Sequence, residues 1–122
     1  MRAASIATAL ALACACASAQ SPNPYEGIWK ATWDGRIRQF EATVVIKGDA
    51  GTWKTSARDR NDPCVGLEVP IVVSEASPQL LVFKADFDKV IAGCSGFTVS
   101  VTPRGSELEG KRGAFAVRMV RN

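Results

Sequence analysis

Apolar and polar residues alternate one by one along most of the chain after residue 27. Trp29, Ala31 and Trp33 alternate with polar neighbours, and Asp34-Gly35 then signals a hairpin turn. A period of two is typical of strands that bury one face, so the pattern predicts a chain of short β-strands. The eight predicted strands cover residues 29–33, 40–47, 52–57, 69–76, 79–85, 97–101, 107–111 and 114–121.

The composition of this region favours strands over helices. After residue 19 the chain holds 17 Val and Ile residues against 4 Leu. β-branched side chains suit a pleated surface and lose rotamer freedom in a helix. One helical turn is predicted between strands five and six, where Asp86 can cap the N-terminus and Gly93 can end the turn.

The predicted loops divide by length between two ends of the molecule. If the strands run up and down in order, three tight turns lie at one end and the long connections 58–68 and 86–96 lie at the other. Cys64 and Cys94 both fall in these long loops, at the same end. An open sheet of this size exposes its edges, and closure removes them. The sequence therefore predicts an all-β fold, a small eight-stranded up-and-down β-barrel with one short helical turn.

The first nineteen residues have the pattern of a secretory signal peptide. A charged Arg2 precedes a short Ala/Leu-rich stretch, and Ala17-Ser18-Ala19 fits the small-x-small cleavage pattern. The predicted organisation is a signal peptide at 1–19, an unpaired N-terminal tail at 20–26 and the barrel domain at 27–122. The protein is expected to be exported, periplasmic or extracellular. A lipoprotein anchored through Cys14 or Cys16 is the less favoured alternative.

Export leaves Cys64 and Cys94 as the cysteines of the mature chain. Two cysteines in an exported chain indicate one disulfide, and no C-x-x-C spacing suggests redox chemistry. Closing a loop of about 30 residues is worth roughly 3.5–4 kcal/mol in the chain-entropy model.

Residues in the first and last predicted strands resemble those of a known family. Gly27-x-Trp29 opens the first strand, and Arg118 or Arg121 lies near the end of the last strand, which a closed barrel brings beside Trp29. This pattern resembles the calycin superfamily of lipocalins, fatty-acid-binding proteins and avidins. The resemblance implies a barrel end closed by Trp29 with a basic residue across it, and Trp53 is expected at the same end.

Large side chains are expected to fill much of the barrel interior. The inward candidates are Trp29, Trp33, Phe40, Trp53, Phe83, Phe97, Phe115 and Met119. So many large groups favour a packed core. The alternative is a hydrophobic ligand pocket near the long-loop end, lined by Trp33.

The candidate binding residues lie at the long-loop end: Trp33, Arg36, Arg58, Arg60, Asp62 and Arg112. Segment 58–62 is the densest polar cluster, and loops held on a rigid scaffold are suited to recognition. A solvated turn with self-compensating charges is the alternative for this segment.

Several function classes are disfavoured by residue type. The chain has no histidine, which excludes Ser-His-Asp and Cys-His catalysis and imidazole metal ligands. No Ca²⁺-loop spacing is present among the aspartates, so no metal or cofactor is predicted. A net charge of +3 is far from a nucleic-acid-binding stripe. No apolar run long enough for a transmembrane helix follows the N-terminus.

The sequence thus favours a non-enzymatic binding module that engages a small ligand or a partner at its long-loop end. An inhibitor or immunity-type protein that blocks another protein through the 58–68 loop is the alternative. A continuous apolar cavity supports the first, and a filled barrel with a protruding rigid loop supports the second.

Overall fold

A computed structural model describes residues 23–56 and 62–122 and shows a closed antiparallel barrel of eight strands. The strands are β1 (Gly27–Asp34), β2 (Gln39–Lys47), β3 (Ala50–Thr55), β4 (Glu68–Ser77), β5 (Leu80–Ala85), β6 (Phe97–Arg104), β7 (Glu107–Arg112) and β8 (Phe115–Arg121). Each strand pairs with the next along the chain. The predicted fold class and strand number are confirmed. The predicted signal peptide and the start of the predicted tail lie outside the described residues.

Pairing of the last strand with the first closes the barrel. Trp29 lies opposite Arg121, Ala31 opposite Met119 and Trp33 opposite Val117. Closure leaves no strand edge unpaired. In an open sheet such an unpaired edge can pair with another chain and cause aggregation.

Side chains from alternate positions fill the interior of the barrel below its long-loop end. Trp53, Phe83, Leu81 and Met119 are completely buried and form part of one continuous apolar core. Eight-stranded barrels have an interior that side chains can just fill.

Two glycines allow neighbouring strands to approach closely, since a Cβ on Gly51 or Gly110 would lie 1.9 Å from a backbone carbonyl oxygen.

Two kinds of connection give the barrel two different ends. At the base, two-residue turns at 48–49, 78–79 and 105–106 join the strands. At the mouth lie the connections 35–38, 56–67, 86–96 and 113–114. Cys64 and Cys94 join the two long mouth loops, with their sulfurs 2.03 Å apart. The predicted pairing of the two cysteines at one end is therefore confirmed.

The helical turn is shorter than the sequence pattern suggests. A 3₁₀ turn covers Phe87–Lys89, and Asp86 stands at its N-cap position without a side-chain capping hydrogen bond. The Asp86 carboxylate lies 3.6 Å from the Lys84 ammonium and 3.5 Å from that of Lys89. The predicted capping role is wrong because two nearby ammonium groups compete for this carboxylate.

The segment just before β1 is not part of a strand, but side-chain contacts tie its described residues to the base. The side-chain amide of Asn23 donates to the carbonyl of Gly48 at 2.7 Å. Tyr25 is buried, its hydroxyl donates to the carbonyl of Ser77, and its own carbonyl accepts a 2.8 Å hydrogen bond from the Trp29 indole. The segment covers the end of the apolar core, which the short base turns leave open.

Candidate functional site

A pocket of about 260 Å³ opens at the mouth of the barrel, and three of the four mouth connections (35–38, 56–67 and 86–96) contribute residues to it. It is lined by Trp33, Gly35, Arg36, Phe40, Thr55, Asp62, Cys64, Val65, Phe87, Ser95, Phe97, Arg112 and Phe115. Five of the thirteen described lining residues are aromatic, and the charged ones are two arginines and one aspartate. A concave, largely apolar site with a few polar groups is the usual form of a small-molecule site.

Arg112 lies inside this pocket against a cluster of rings. Its guanidinium carbon is 3.8 Å from the ring centroid of Phe97, 4.5 Å from that of Trp33 and 5.8 Å from that of Trp53. Trp53 packs edge-on against Phe97 at 4.9 Å and tilts against Trp33 at 5.4 Å. The cluster therefore holds the guanidinium through cation–π contacts.

Alternation along β7 explains why this arginine faces inward. Leu108, Gly110 and Arg112 occupy every second position, and Leu108 is buried in the core. Val101 and Gly110 are paired, and Val99 pairs with Arg112. Because Val99 and Val101 are both fully buried, the same face of β7 points into the barrel.

Among the residues that the structure describes, Arg112 has no hydrogen-bond partner. Within residues 23–56 and 62–122, this side chain makes no hydrogen bond or ion pair, and its Nε atom is buried without an acceptor. Desolvation by burial lowers the pKa of Arg112 from its usual range to about 10. A buried cation normally has a hydrogen-bonded partner, so this one is an exception that requires an explanation.

At the base of the barrel, Arg121 also stacks on an aromatic ring, but its donors form hydrogen bonds with the protein. The guanidinium carbon of Arg121 lies 4.3 Å from the ring centroid of Trp29. Its Nη1 donates to the carbonyl of Glu26 at 2.8 Å, and its Nη2 donates to that of Pro24 at 3.0 Å. The base arginine is therefore both stacked and hydrogen-bonded, whereas the mouth arginine is only stacked.

Two other polar groups of the pocket are already held by protein atoms. The hydroxyl of Thr55 accepts a 2.9 Å hydrogen bond from the indole of Trp53. The Asp62 carboxylate accepts a 2.9 Å hydrogen bond from the backbone N–H of Cys64, next to the disulfide. These contacts fix the wall opposite β7 before any ligand arrives.

Four of the six predicted binding residues line this one pocket. Trp33, Arg36, Asp62 and Arg112 come together at the mouth. Arg58 and Arg60 lie outside the described residues. Sequence reasoning missed Thr55, Val65, Phe87 and Ser95 as lining residues. Thr55 could have been found, because it lies two positions after Trp53 on the same face of β3.

The residues predicted to close the base divide into two groups. Arg121 contacts Trp29, and Gly27 makes room for it, because a Cβ there would lie 2.9 Å from Nη1 of Arg121. Arg118 instead lies on the outer surface, 3.7 Å from a carboxylate oxygen of Glu107. Trp53 shares the neighbour Val44 with Trp29, but its ring packs towards the rings of the mouth. Trp53 thus packs beneath Trp33 and Phe97, which line the mouth pocket, and forms the floor of this aromatic cluster.

A larger concavity of about 550 Å³ lies on the outer surface of β1, β6, β7 and β8 and is a weaker candidate. Its arginines are paired with nearby glutamates. Arg104 lies 3.7 Å from Glu109, and Arg118 lies the same distance from Glu107. Exposed, self-compensated pairs of this kind contribute little to binding or stability.

Comparisons with protein-family models, with curated proteins and with solved structures found no match to this chain. The residues with described positions contain no helix long and apolar enough to cross a membrane. Nor do those residues bring three or more His, Cys, Asp or Glu side chains together as a metal site.

Proposed function

We propose that this protein is an exported, non-enzymatic binding module that holds a small organic anion in the mouth pocket. One observation carries the proposal: Arg112 lies among three aromatic rings with no hydrogen-bond partner among the described residues. Leaving a buried donor unsatisfied costs about 1–3 kcal/mol, and more for a charged group. A bound anion would give the guanidinium a charged partner and offset part of the cost of burying its charge.

The fold supports a role in binding because it keeps the pocket formed without a ligand. The strands that carry Trp33 and Arg112 belong to a closed barrel, and the disulfide holds the two long mouth loops together. A site that is already ordered loses little conformational entropy on binding.

Native mass spectrometry of the protein taken from its own host compartment tests this function. The wild-type protein should carry a small molecule that Arg112→Met does not retain. Arg118→Met is the matched control, since it removes an outer-surface arginine and should leave the bound molecule in place. The same bound species on wild type and Arg112→Met would contradict the proposal.

Intact mass in that experiment also tests export. The mature protein should correspond to Gln20–Asn122 less two hydrogens for the cystine. A retained leader or two free thiols would contradict the proposed compartment.

The protein-blocking alternative has one supporting observation at the same end. Ile37, in the connection between β1 and β2, is 95% exposed, unlike any other large apolar residue among those described. An apolar side chain on a rim loop suits insertion into another protein's cleft. In that case Ile37→Ser would abolish a stoichiometric protein complex in the native spectrum, and Arg112→Met would leave the complex intact.

A further inference from the structure

The depth of the mouth pocket limits the length of its ligand. Beneath its lining residues Trp33 and Phe97 lie Trp53 and then Phe83, both completely buried, with ring centroids 6.1 Å apart. Below them Leu81 and Met119 are also completely buried, so the core continues without an opening. A long chain cannot pass into the barrel as it stands. The 260 Å³ of the pocket hold about eight or nine waters, less than the roughly 300–1,000 Å³ of a drug-sized site.

The walls favour a flat ligand. Trp33 and Phe40 stack nearly parallel, with centroids 5.8 Å apart and an interplanar angle of 14°. Phe115 lies on the inward face of β8 in step with buried Val117, yet 37% of it is exposed at the pocket. An exposed ring that lines a cavity is a surface for stacking, and aromatic pairs gain about 0.5–1.5 kcal/mol beyond area burial.

The geometry of Arg112 favours a carboxylate. The guanidinium carbon lies over the rings of Phe97 and Trp33, 3.8 Å and 4.5 Å from their centroids, so a ligand cannot approach the group from the side of these rings. All five N–H donors of a guanidinium lie in its plane, and two of them fit the two oxygens of a carboxylate. A ligand that approaches in this plane would form a bidentate pair.

The charges around the pocket favour a single negative charge. Its described lining residues include the cations Arg36 and Arg112 and the anion Asp62. The sum is one positive charge, which a monoanion neutralises. A dianion would leave an excess negative charge close to Asp62, in a site where water is partly excluded and repulsion is stronger than in bulk.

From these four observations we infer that the mouth pocket binds a planar, single-ring aromatic monocarboxylate. The carboxylate pairs with the edge of Arg112, and the ring lies against Phe115 above the Trp53 floor. This inference rests on the proposed function and names the class of ligand for the same site.

Calorimetric titration of the wild-type protein with five probes tests the inference. Benzoate is the reference ligand. Benzamide keeps the ring without the charge, cyclohexanecarboxylate keeps the charge without the flat ring, decanoate adds length, and phenyl phosphate adds charge. We expect benzoate to bind at least about tenfold more tightly than each of the others, which corresponds to about 1.4 kcal/mol. Proton NMR should show contacts between the benzoate ring and Phe115.

Variants then assign the carboxylate partner. Arg112→Met should weaken benzoate binding by about tenfold or more, as expected for loss of a charged hydrogen bond. Arg118→Met should leave it unchanged. If Arg112→Met does not fold, the comparison of probes on the wild-type protein still decides the ligand class.

The failures of the two proposals can be told apart. Tighter binding of decanoate or phenyl phosphate than of benzoate would overturn the ligand class while the proposed anion site stands. Absence of benzoate binding at about 1 mM would also overturn the ligand class. The proposed function itself fails if wild type and Arg112→Met carry the same bound molecule from the host, whatever the probes show.

Discussion

Arg121 lies flat over Trp29 at the base of the barrel, with its guanidinium carbon 4.3 Å from the indole centroid, and donates hydrogen bonds to the carbonyls of Pro24 and Glu26. At the mouth, Arg112 lies over Trp33 at 4.5 Å and makes no such bonds to the described residues. The protein thus uses one type of cation–π contact twice, once with its donors satisfied and once with them available. The two ends of the barrel therefore differ in whether their stacked arginine has hydrogen-bond partners among the described residues.

The first prediction compares the stability of the two arginine variants. Arg121→Met should lower the free energy of unfolding by roughly 1–3 kcal/mol, because it removes two charge-assisted hydrogen bonds and the contact with the Trp29 indole. Arg112→Met should change it by less than about 1 kcal/mol, because the lost ring contacts are offset by removal of an unpaired buried cation. Urea denaturation of both variants measures the difference. An Arg112→Met protein as unstable as Arg121→Met would show that the mouth arginine is structural.

The second prediction concerns the pH dependence of ligand affinity. Burial lowers the pKa of Arg112 to about 10, so the folded protein loses this charge at lower pH than the unfolded chain does. Benzoate affinity should therefore be constant around neutral pH and fall as the pH rises through about 10. Calorimetric titrations in matched buffers measure the profile. A profile that is flat past that point would exclude the Arg112 charge from binding.

Stability should change in the opposite direction over the same range. Because the unfolded chain holds the Arg112 proton to higher pH than the folded protein does, the folded state is favoured as the pH rises above about 10. The wild-type protein should gain stability relative to Arg112→Met in this range. The comparison with the variant cancels the titration of other groups, and a relative loss would contradict the lowered pKa.

The third prediction concerns the cystine. Replacing both Cys64 and Cys94 by Ser should lower the free energy of unfolding by about 2–4 kcal/mol, since the bond joins residues 30 apart in sequence and restricts the unfolded chain. The far-UV circular dichroism should keep its β-sheet form, because the barrel pairing does not pass through the disulfide. An unchanged melting temperature would show that the bond does not stabilise the fold.

The fourth prediction concerns a glycine at the start of β1. Gly27 has a φ of +133°, and a Cβ there would lie 2.9 Å from Nη1 of Arg121. Gly27→Ala should therefore destabilise the protein by roughly 1–3 kcal/mol, through backbone strain and displacement of the arginine. Gly105→Ala is the matched control in a base turn, with a φ of +63° and no atom within 4 Å of its Cβ. Its cost should be smaller, about 1 kcal/mol. Equal costs would show that contact with Arg121 is unimportant.

Local patterns were sufficient to predict the barrel and its disulfide. Alternation marked the eight strands, and counting strands placed Cys64 and Cys94 at one end, as the structure confirms. The strands follow from the alternation of apolar and polar residues, and the placement of the cysteines follows from the number of strands between them. Both can be read from a single sequence.

Side-chain direction at the strand ends was harder to predict. The predicted seventh strand ends at residue 111, which leaves Arg112 in a mouth connection. The alternation of Leu108 and Gly110 nevertheless indicates that Arg112 faces the interior of the barrel. The ring of Trp53 turns towards the mouth because Trp33, Phe97 and Thr55 surround it there, and these contacts come from three different strands. Such long-range choices depend on the packed barrel, and no local pattern contains them.

The floor at Trp53 and Phe83 makes ligand length a property that evolution or design can adjust at two positions. Smaller side chains there would extend the site into a shaft along the barrel axis and admit molecules with aliphatic tails. Truncating a buried aromatic residue to Ala typically costs about 3–5 kcal/mol. That loss is comparable with what the cystine is expected to contribute. The disulfide therefore provides stability that can offset the cost of enlarging the site for other ligands.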